Sequence, residues 1–258
     1  MYERILLMGP AGCGKSTQVI NVCKYLQKFK KSMYVIDLED KMEATLGGEL
    51  PSNMKLYPVF EWTESKSKVS AGGMNEVTDE ILSKVGIDDW IVIDRMDLAW
   101  PLVQRWYVKT RYNEDLAERM MSGAVAMGEK KSMMMPRVDQ GSWQVINEQY
   151  DSVISKLLYK SRCNIIMTTG IKSGDDSSPF DIYGNVSVAP RGQKEIAHQP
   201  HSAFLLGQKK ERDRGSYNMV WNITTAKDLP NRIYFDNDPI TNFAEEYLDM
   251  YYSPKEIR

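Results

Sequence analysis

Gly9-Pro10-Ala11-Gly12-Cys13-Gly14-Lys15-Ser16 fits the pattern G-x-x-x-x-G-K-[ST], and Thr17 follows it. The apolar run Ile5-Leu6-Leu7-Met8 comes directly before it, as in a strand buried on both faces. After it, Val19, Val22, Cys23, Leu26 and Phe29 recur at three- and four-residue intervals, which predicts a helix. A strand, a glycine-rich turn and a helix in that order form a phosphate cradle. The glycines let backbone N–H groups turn inward on an anion, and the helix adds the positive end of its dipole. Lys15 is placed to reach β- and γ-phosphates, and the Ser16 hydroxyl to ligate Mg2+. The motif therefore implies a nucleoside triphosphate such as ATP, with Mg2+, held by residues 9–17. Cys13 sits in this loop near a helix N-terminus. It reads as a tolerated variable position of the loop rather than a nucleophile.

Outward from this loop, short apolar runs alternate with helix-like segments, the pattern of a mostly parallel α/β sheet. Met33–Ile36, Trp90–Ile93, Asn164–Met167 and Ala203–Leu206 read as strands. Met54–Phe60 reads as a further strand, with Pro58 favouring an edge. Glu76–Val85 reads as a helix, as does the stripe Ile146, Tyr150, Val153, Ile154 and Leu157, with Ser142 as its candidate N-cap. Met219–Ile223 and Ile233–Phe235 read as late antiparallel strands. A last helix, opened by Asp238-Pro239, carries Phe243, Tyr247, Leu248 and Tyr251 on one face, for its own domain or for a partner subunit.

The site residues follow from where strands end. Asp94 closes the third predicted strand, where an aspartate is the usual second ligand on the metal side and holds Mg2+ through water. The next residue is Arg95, so the glutamate that many ATPases carry beside this aspartate is missing. Val35-Ile36-Asp37-Leu38-Glu39-Asp40 ends the second strand in carboxylates. This arrangement resembles the RecA-like P-loop ATPases, in which a strand ending Ile-Asp-x-Glu supplies the glutamate that orients the attacking water. The resemblance implies that Glu39 takes that role, with Asp37 packing or capping locally. It implies a three-layer α/β fold with a RecA-like central sheet. It makes Thr168 or Thr169, in Ile165-Ile166-Met167-Thr168-Thr169-Gly170, a sensor near the γ-phosphate. It also implies a DNA loop over 171–199, with Lys172, Arg191 and Lys194 as cations and Phe180 and Tyr183 as stacking rings. Lys130, Lys131 and Arg137 lie where the other DNA loop would be. Lys227, with Arg232 second, would reach the nucleotide of a neighbouring subunit in a ring or filament; a plain surface lysine is the alternative.

Compact phage-encoded members that serve DNA recombination and single-strand annealing are the most similar in appearance. They start at the phosphate-loop strand, lack a polymerisation arm, and share the look of Gly141-Ser142-Trp143-Gln144 ahead of a long helix. The expected architecture is one domain over 1–258, with insertions near 41–89, 123–140 and 171–199 and a C-terminal helix over 239–251. The other functions open to this core are a viral genome-packaging or helicase-like motor, a nucleotide or small-molecule kinase, and a nonhydrolysing nucleotide-bound scaffold. A kinase lid needs clustered arginines, whereas Arg105, Arg111 and Arg119 are spread out.

Composition narrows the partners. Of 258 residues, 33 are Lys or Arg and 35 Asp or Glu, so any single-stranded DNA contact must come from a few loop cations multiplied by assembly. An apolar share of 42% is enough for a real core and argues against disorder. The Met133-Met134-Met135 cluster suits an adaptable contact or a loop that orders on assembly. Cys13, Cys23 and Cys163 have no metal-ligand spacing, and His198 and His201 complete the histidines. With no long apolar run and a strand starting near Tyr2, no membrane span and no leader are expected. The expected location is the cytoplasm, that of the host for a phage-encoded chain.

Overall fold

A computed structural model of the chain describes residues 2–63, 73–119, 140–173, 188–193, 196, 198–211 and 215–222, together with Ala244 and Leu248. Several expectations fall outside these residues: Lys130, Lys131, Met133–Met135, Arg137, Phe180, Tyr183, Lys194, Lys227, Arg232, the strand Ile233–Phe235 and most of the helix over 239–251.

The strands are β1 (Arg4–Met8), β2 (Met33–Asp37), β3 (Met54–Pro58), β4 (Trp90–Asp94), β5 (Asn164–Thr169), β6 (Ile171–Ser173), β7 (Val188–Pro190), β8 (Ser202–Glu211) and β9 (Gly215–Asn222). The helices are α1 (Lys15–Gln27), α2 (Met42–Thr45), α3 (Met74–Lys84), α4 (Ala99–Tyr112) and α5 (Gln140–Ser155). The main sheet has seven strands in the order β3-β2-β4-β5-β1-β8-β9, and β6 and β7 form a separate antiparallel pair. Among the described residues every pairing in the main sheet is parallel except that of β8 with β9. The layered α/β fold expected from the sequence is present, with the late antiparallel strand at one edge. Pro58 lies in β3 at the opposite edge, where its missing N–H leaves no gap in a ladder.

The two cores follow from strand periodicity. Successive side chains of a strand point to opposite faces. Leu6, Met8, Ile36, Ile91, Ile93, Ile165 and Met167 face one layer, with Val77 and Ile81 of α3, Leu102 and Val103 of α4, and Tyr150 and Val153 of α5. Ile5, Leu7, Val35, Val92 and Ile166 face the other, with Val19, Val22, Cys23 and Leu26 of α1. This is why β2, β4 and β5, buried along their whole length, read as continuous apolar runs. Leu248 and Ala244 join the α1 side, so at least this part of the C-terminal stripe packs on its own domain.

Ser142 does not cap α5. The helix starts ahead of it, and the buried Ser142 hydroxyl accepts a hydrogen bond from Tyr107 of α4 at 2.6 Å. The stacked rings of Trp100 and Trp143 accompany this α4–α5 contact. All three cysteines are free and buried. Burial pushes the Cys23 thiol up to about 12 and the Cys163 thiol up to about 11, so both stay protonated at neutral pH. Among the described residues no helix is long and apolar enough to cross a membrane.

Candidate functional site

Strand register assembles the site. Met8 lies beside Thr169 and Asp37 beside Asp94, so the C-terminal ends of β1, β2, β4 and β5 form one rim. Open parallel sheets bind ligands at that rim. The 9–14 loop leaves β1 there, and the Gly9 N–H donates to the Thr169 carbonyl at 3.2 Å. Gly9 admits no side chain: a Cβ would stand 2.5 Å from the Leu206 carbonyl oxygen and 2.6 Å from Cys13 Sγ. Gly14 turns into α1 at φ 90, a conformation that favours glycine. Among the described residues no side chain caps α1, and no acidic residue stands in its first turn, an arrangement suited to an anion.

Lys15 sharpens that reading. It is only 8% exposed. Its Nζ donates to the carbonyls of Gly9 at 2.9 Å and Pro10 at 2.7 Å and approaches Cys13 Sγ at 3.7 Å. Among the ion pairs of the described residues, none involves Lys15. A buried ammonium answered only by neutral dipoles, beside a helix N-terminus, is an electrostatic deficit that an anion corrects.

The next residue, Ser16, meets a buried carboxylate. Asp94 is 2% exposed, and its Oδ2 accepts from the Ser16 hydroxyl at 3.3 Å. Its Oδ1 accepts from the Thr168 hydroxyl. Desolvation holds the Asp94 carboxyl above the usual range; the Thr168 bond opposes this, and the negative charge of Asp37 adds to it. A cation between Ser16 and Asp94 would relieve that penalty. Mg2+ is the fitting ion, since it keeps most of its waters and takes few protein ligands beside substrate phosphate.

Glu39 lies at the mouth of this rim, and both its oxygens meet cations. Lys41 Nζ is 2.7 Å from Oε1 and Arg95 Nη1 is 2.9 Å from Oε2. Burial raises the Glu39 pKa, but Lys41 and Arg95 together outweigh it and hold the carboxyl below its usual range, so it is ionised at neutral pH. Asp37 shapes the turn that carries Glu39. Its Oδ1 accepts from the N–H groups of Glu39 (3.1 Å) and Asp40 (2.9 Å), and its Oδ2 from that of Met42 (2.9 Å). Local capping is therefore its part. Asp37→Ala strips three backbone donors of a charged acceptor, at about 1–3 kcal/mol for each donor left dry. A loss of about 3 kcal/mol in urea unfolding is expected, with a smaller loss for Asp37→Asn, which keeps one acceptor oxygen. Unfolding unchanged in Asp37→Ala would show that the turn holds itself.

The hydroxyls of both candidate sensors are engaged. Thr168 Oγ1 accepts the Arg95 N–H at 2.8 Å while donating to Asp94, and Thr169 Oγ1 donates to the Arg191 carbonyl at 3.0 Å. Thr168 thus joins Asp94 to the chain beyond it, and Thr169 joins β5 to the exit of the β6–β7 pair. Lys172 lies opposite Ala189 in that pair, and Arg191 is exposed just past β7, its N–H on the Gly170 carbonyl at 2.9 Å. Lys172 and Arg191 therefore lie on and just past one small antiparallel strand pair that follows β5.

Sequence reasoning missed Arg95 and Asp97. Arg95 Nε and Nη2 donate to the two oxygens of Asp97 at 2.9 and 3.0 Å. The spacing Asp94-Arg95-x-Asp97 was a visible signal, read only as a missing glutamate.

No protein-family model matches the chain, and no curated protein matches it. Among solved structures it is similar to the RadB recombinase, at 14% identity and TM-score 0.41 over 85% of this chain and 80% of that one. It is also similar to a KaiC-like protein from Pyrococcus horikoshii, at 15% identity and TM-score 0.43 over 87% of this chain and 80% of that one. At these values the likeness adds nothing to the strand order above, which by itself makes the chain a three-layer α/β protein with a phosphate-type loop after its first strand.

Proposed function

We propose that the chain is a Mg2+-dependent ATPase of the RecA-like group that acts on single-stranded DNA in recombination or annealing. The observation that carries the ATPase reading is the presence of opposites on one rim: the buried Lys15 at the α1 N-terminus, in no ion pair among the described residues, and the buried Asp94 facing Ser16. Triphosphate oxygens would take Lys15 and the N–H groups of residues 12–17, leaving the carbonyls that Lys15 now holds. Ser16 and Asp94 would hold Mg2+, which would supply charge neutralisation to the triphosphate. Glu39, ionised, accepts a hydrogen bond from the attacking water and orients it in line with the γ-phosphorus. Thr169 sits at the β5 end where a change at the γ-phosphate would be felt through Arg191. Lys227 of a neighbouring subunit completes charge stabilisation in a ring or filament.

The DNA part is supported by the resemblance of the motif set and by Lys172 and Arg191 lying on and just past one small antiparallel strand pair that follows β5, with Lys194 following in sequence. The test is ATP turnover with and without single-stranded DNA, beside a mass measurement. Turnover that DNA stimulates, in an assembly larger than one chain, is expected. Replacing Lys172, Arg191 and Lys194 by Ala should weaken DNA binding and flatten its salt dependence by about 0.7 per lost phosphate contact in the log–log slope. ATP turnover indifferent to DNA, with DNA binding unchanged in the triple variant, would leave an ATPase without this partner.

A further inference from the structure

We propose that Arg95 is a positioning residue for hydrolysis, a guanidinium clamped on Asp97 whose remaining amino group holds the Glu39 carboxylate in place. The proposal rests on the reading of Glu39 as the group that orients water.

The geometry is that of a fixed bracket. Arg95 follows Asp94 directly and has a left-handed backbone at φ 65, its N–H held by Thr168. A non-glycine residue keeps such a conformation when its surroundings enforce it, and such residues cluster at functional sites. The side chain then makes a two-point fork on Asp97, which is only 7% exposed. A fork fixes the plane of a guanidinium as well as its position. That leaves Nη1, which meets Glu39 Oε2 at 2.9 Å.

Lys41 touches the same carboxylate but differs in kind. Its side chain is 66% exposed, against 18% for Arg95. An exposed lysine pair is weak and readily exchanged for water. Glu39 is thus bracketed by one forked, partly buried cation and one exposed cation. Release of Lys41 frees Oε1 for a water while Arg95 keeps Oε2 fixed. Unheld, Glu39 would populate several rotamers, and a displacement of about 1 Å from the productive geometry is enough to cost about a hundredfold in rate. The position that carries a glutamate in many related ATPases here carries the cation that steers a glutamate from the adjacent strand.

A double-mutant cycle tests this, with turnover and the affinity for a fluorescent ATP analogue measured on each full-length variant. Arg95→Ala should lower kcat by about tenfold to a hundredfold and leave KM for ATP within about twofold. In the Glu39→Gln background the same change should cost nothing further, because Arg95 acts through Glu39. Asp97→Asn, which loosens the fork, should shift kcat in the same direction by less, with analogue affinity kept. An equal fold-loss from Arg95→Ala in both backgrounds would assign Arg95 a merely structural part and overturn the proposal. So would undiminished kcat in Arg95→Ala beside an inactive Glu39→Gln. Full turnover in Glu39→Gln is a separate failure, that of the Glu39 reading beneath it.

Discussion

Lys15→Ala is expected to lower ATP turnover by at least about a hundredfold, the scale of losing one preorganised charged donor at a transferring phosphoryl group. It should also weaken MgATP binding. The physical reason is the unanswered charge. Lys15 is buried against the Gly9 and Pro10 carbonyls with no carboxylate partner among the ion pairs of the described residues. A bound phosphate would turn this cost into binding energy. The same argument predicts how the unliganded protein behaves. Removing an uncompensated buried ammonium spares its desolvation while losing its carbonyl bonds, so the two changes oppose each other. Thermal unfolding without nucleotide should therefore move little, while the stabilisation that MgATP adds to the parent protein should vanish. A variant that unfolds without nucleotide and binds MgATP normally when cooled would show Lys15 to be a loop brace only.

Glu39→Gln is expected to lower turnover by about 10²- to 10⁴-fold, the usual share of a positioned general base or water-orienting group, with nucleotide binding kept. Glutamine has nearly the same shape and retains one acceptor oxygen for Arg95 or Lys41. It loses the negative charge that polarises water. The cations around Glu39 keep it ionised at neutral pH, and that ionisation is what the amide removes. Turnover at the parent rate in Glu39→Gln would move the base elsewhere on the rim.

The glycine-rich turn after β1, the strand ends and the layered fold were legible because each has a local cause. A glycine-rich turn between an apolar run and a helical stripe needs no partner to be recognised. β2, β4 and β5 are buried on both faces, and their sequences say so without any alternation. Features that depend on register were less legible. Nothing near Glu39 in sequence points to Arg95. The two meet because β2 and β4 are neighbours with Asp37 beside Asp94. Arg95 therefore read as the absence of an acid instead of the presence of a bracket. Ser142 looked like a cap because a serine ahead of an apolar stripe usually is one; its partner, Tyr107, lies on another helix. The far end of β8 was missed for a different reason. Gly207-Gln208-Lys209-Lys210 is polar, and it pairs with β9 as a strand without an apolar run in its sequence to announce it.

The central claim is that residues 9–17 with Asp94 form a triphosphate and Mg2+ site. Calorimetric titration of the parent protein with ATP, with and without Mg2+, beside Lys15→Ala, tests it most directly. One ATP per chain, bound more tightly with Mg2+ than without and lost in Lys15→Ala, is the predicted result. No heat of binding in the parent protein, or an affinity that neither Mg2+ nor Lys15→Ala changes, would contradict it.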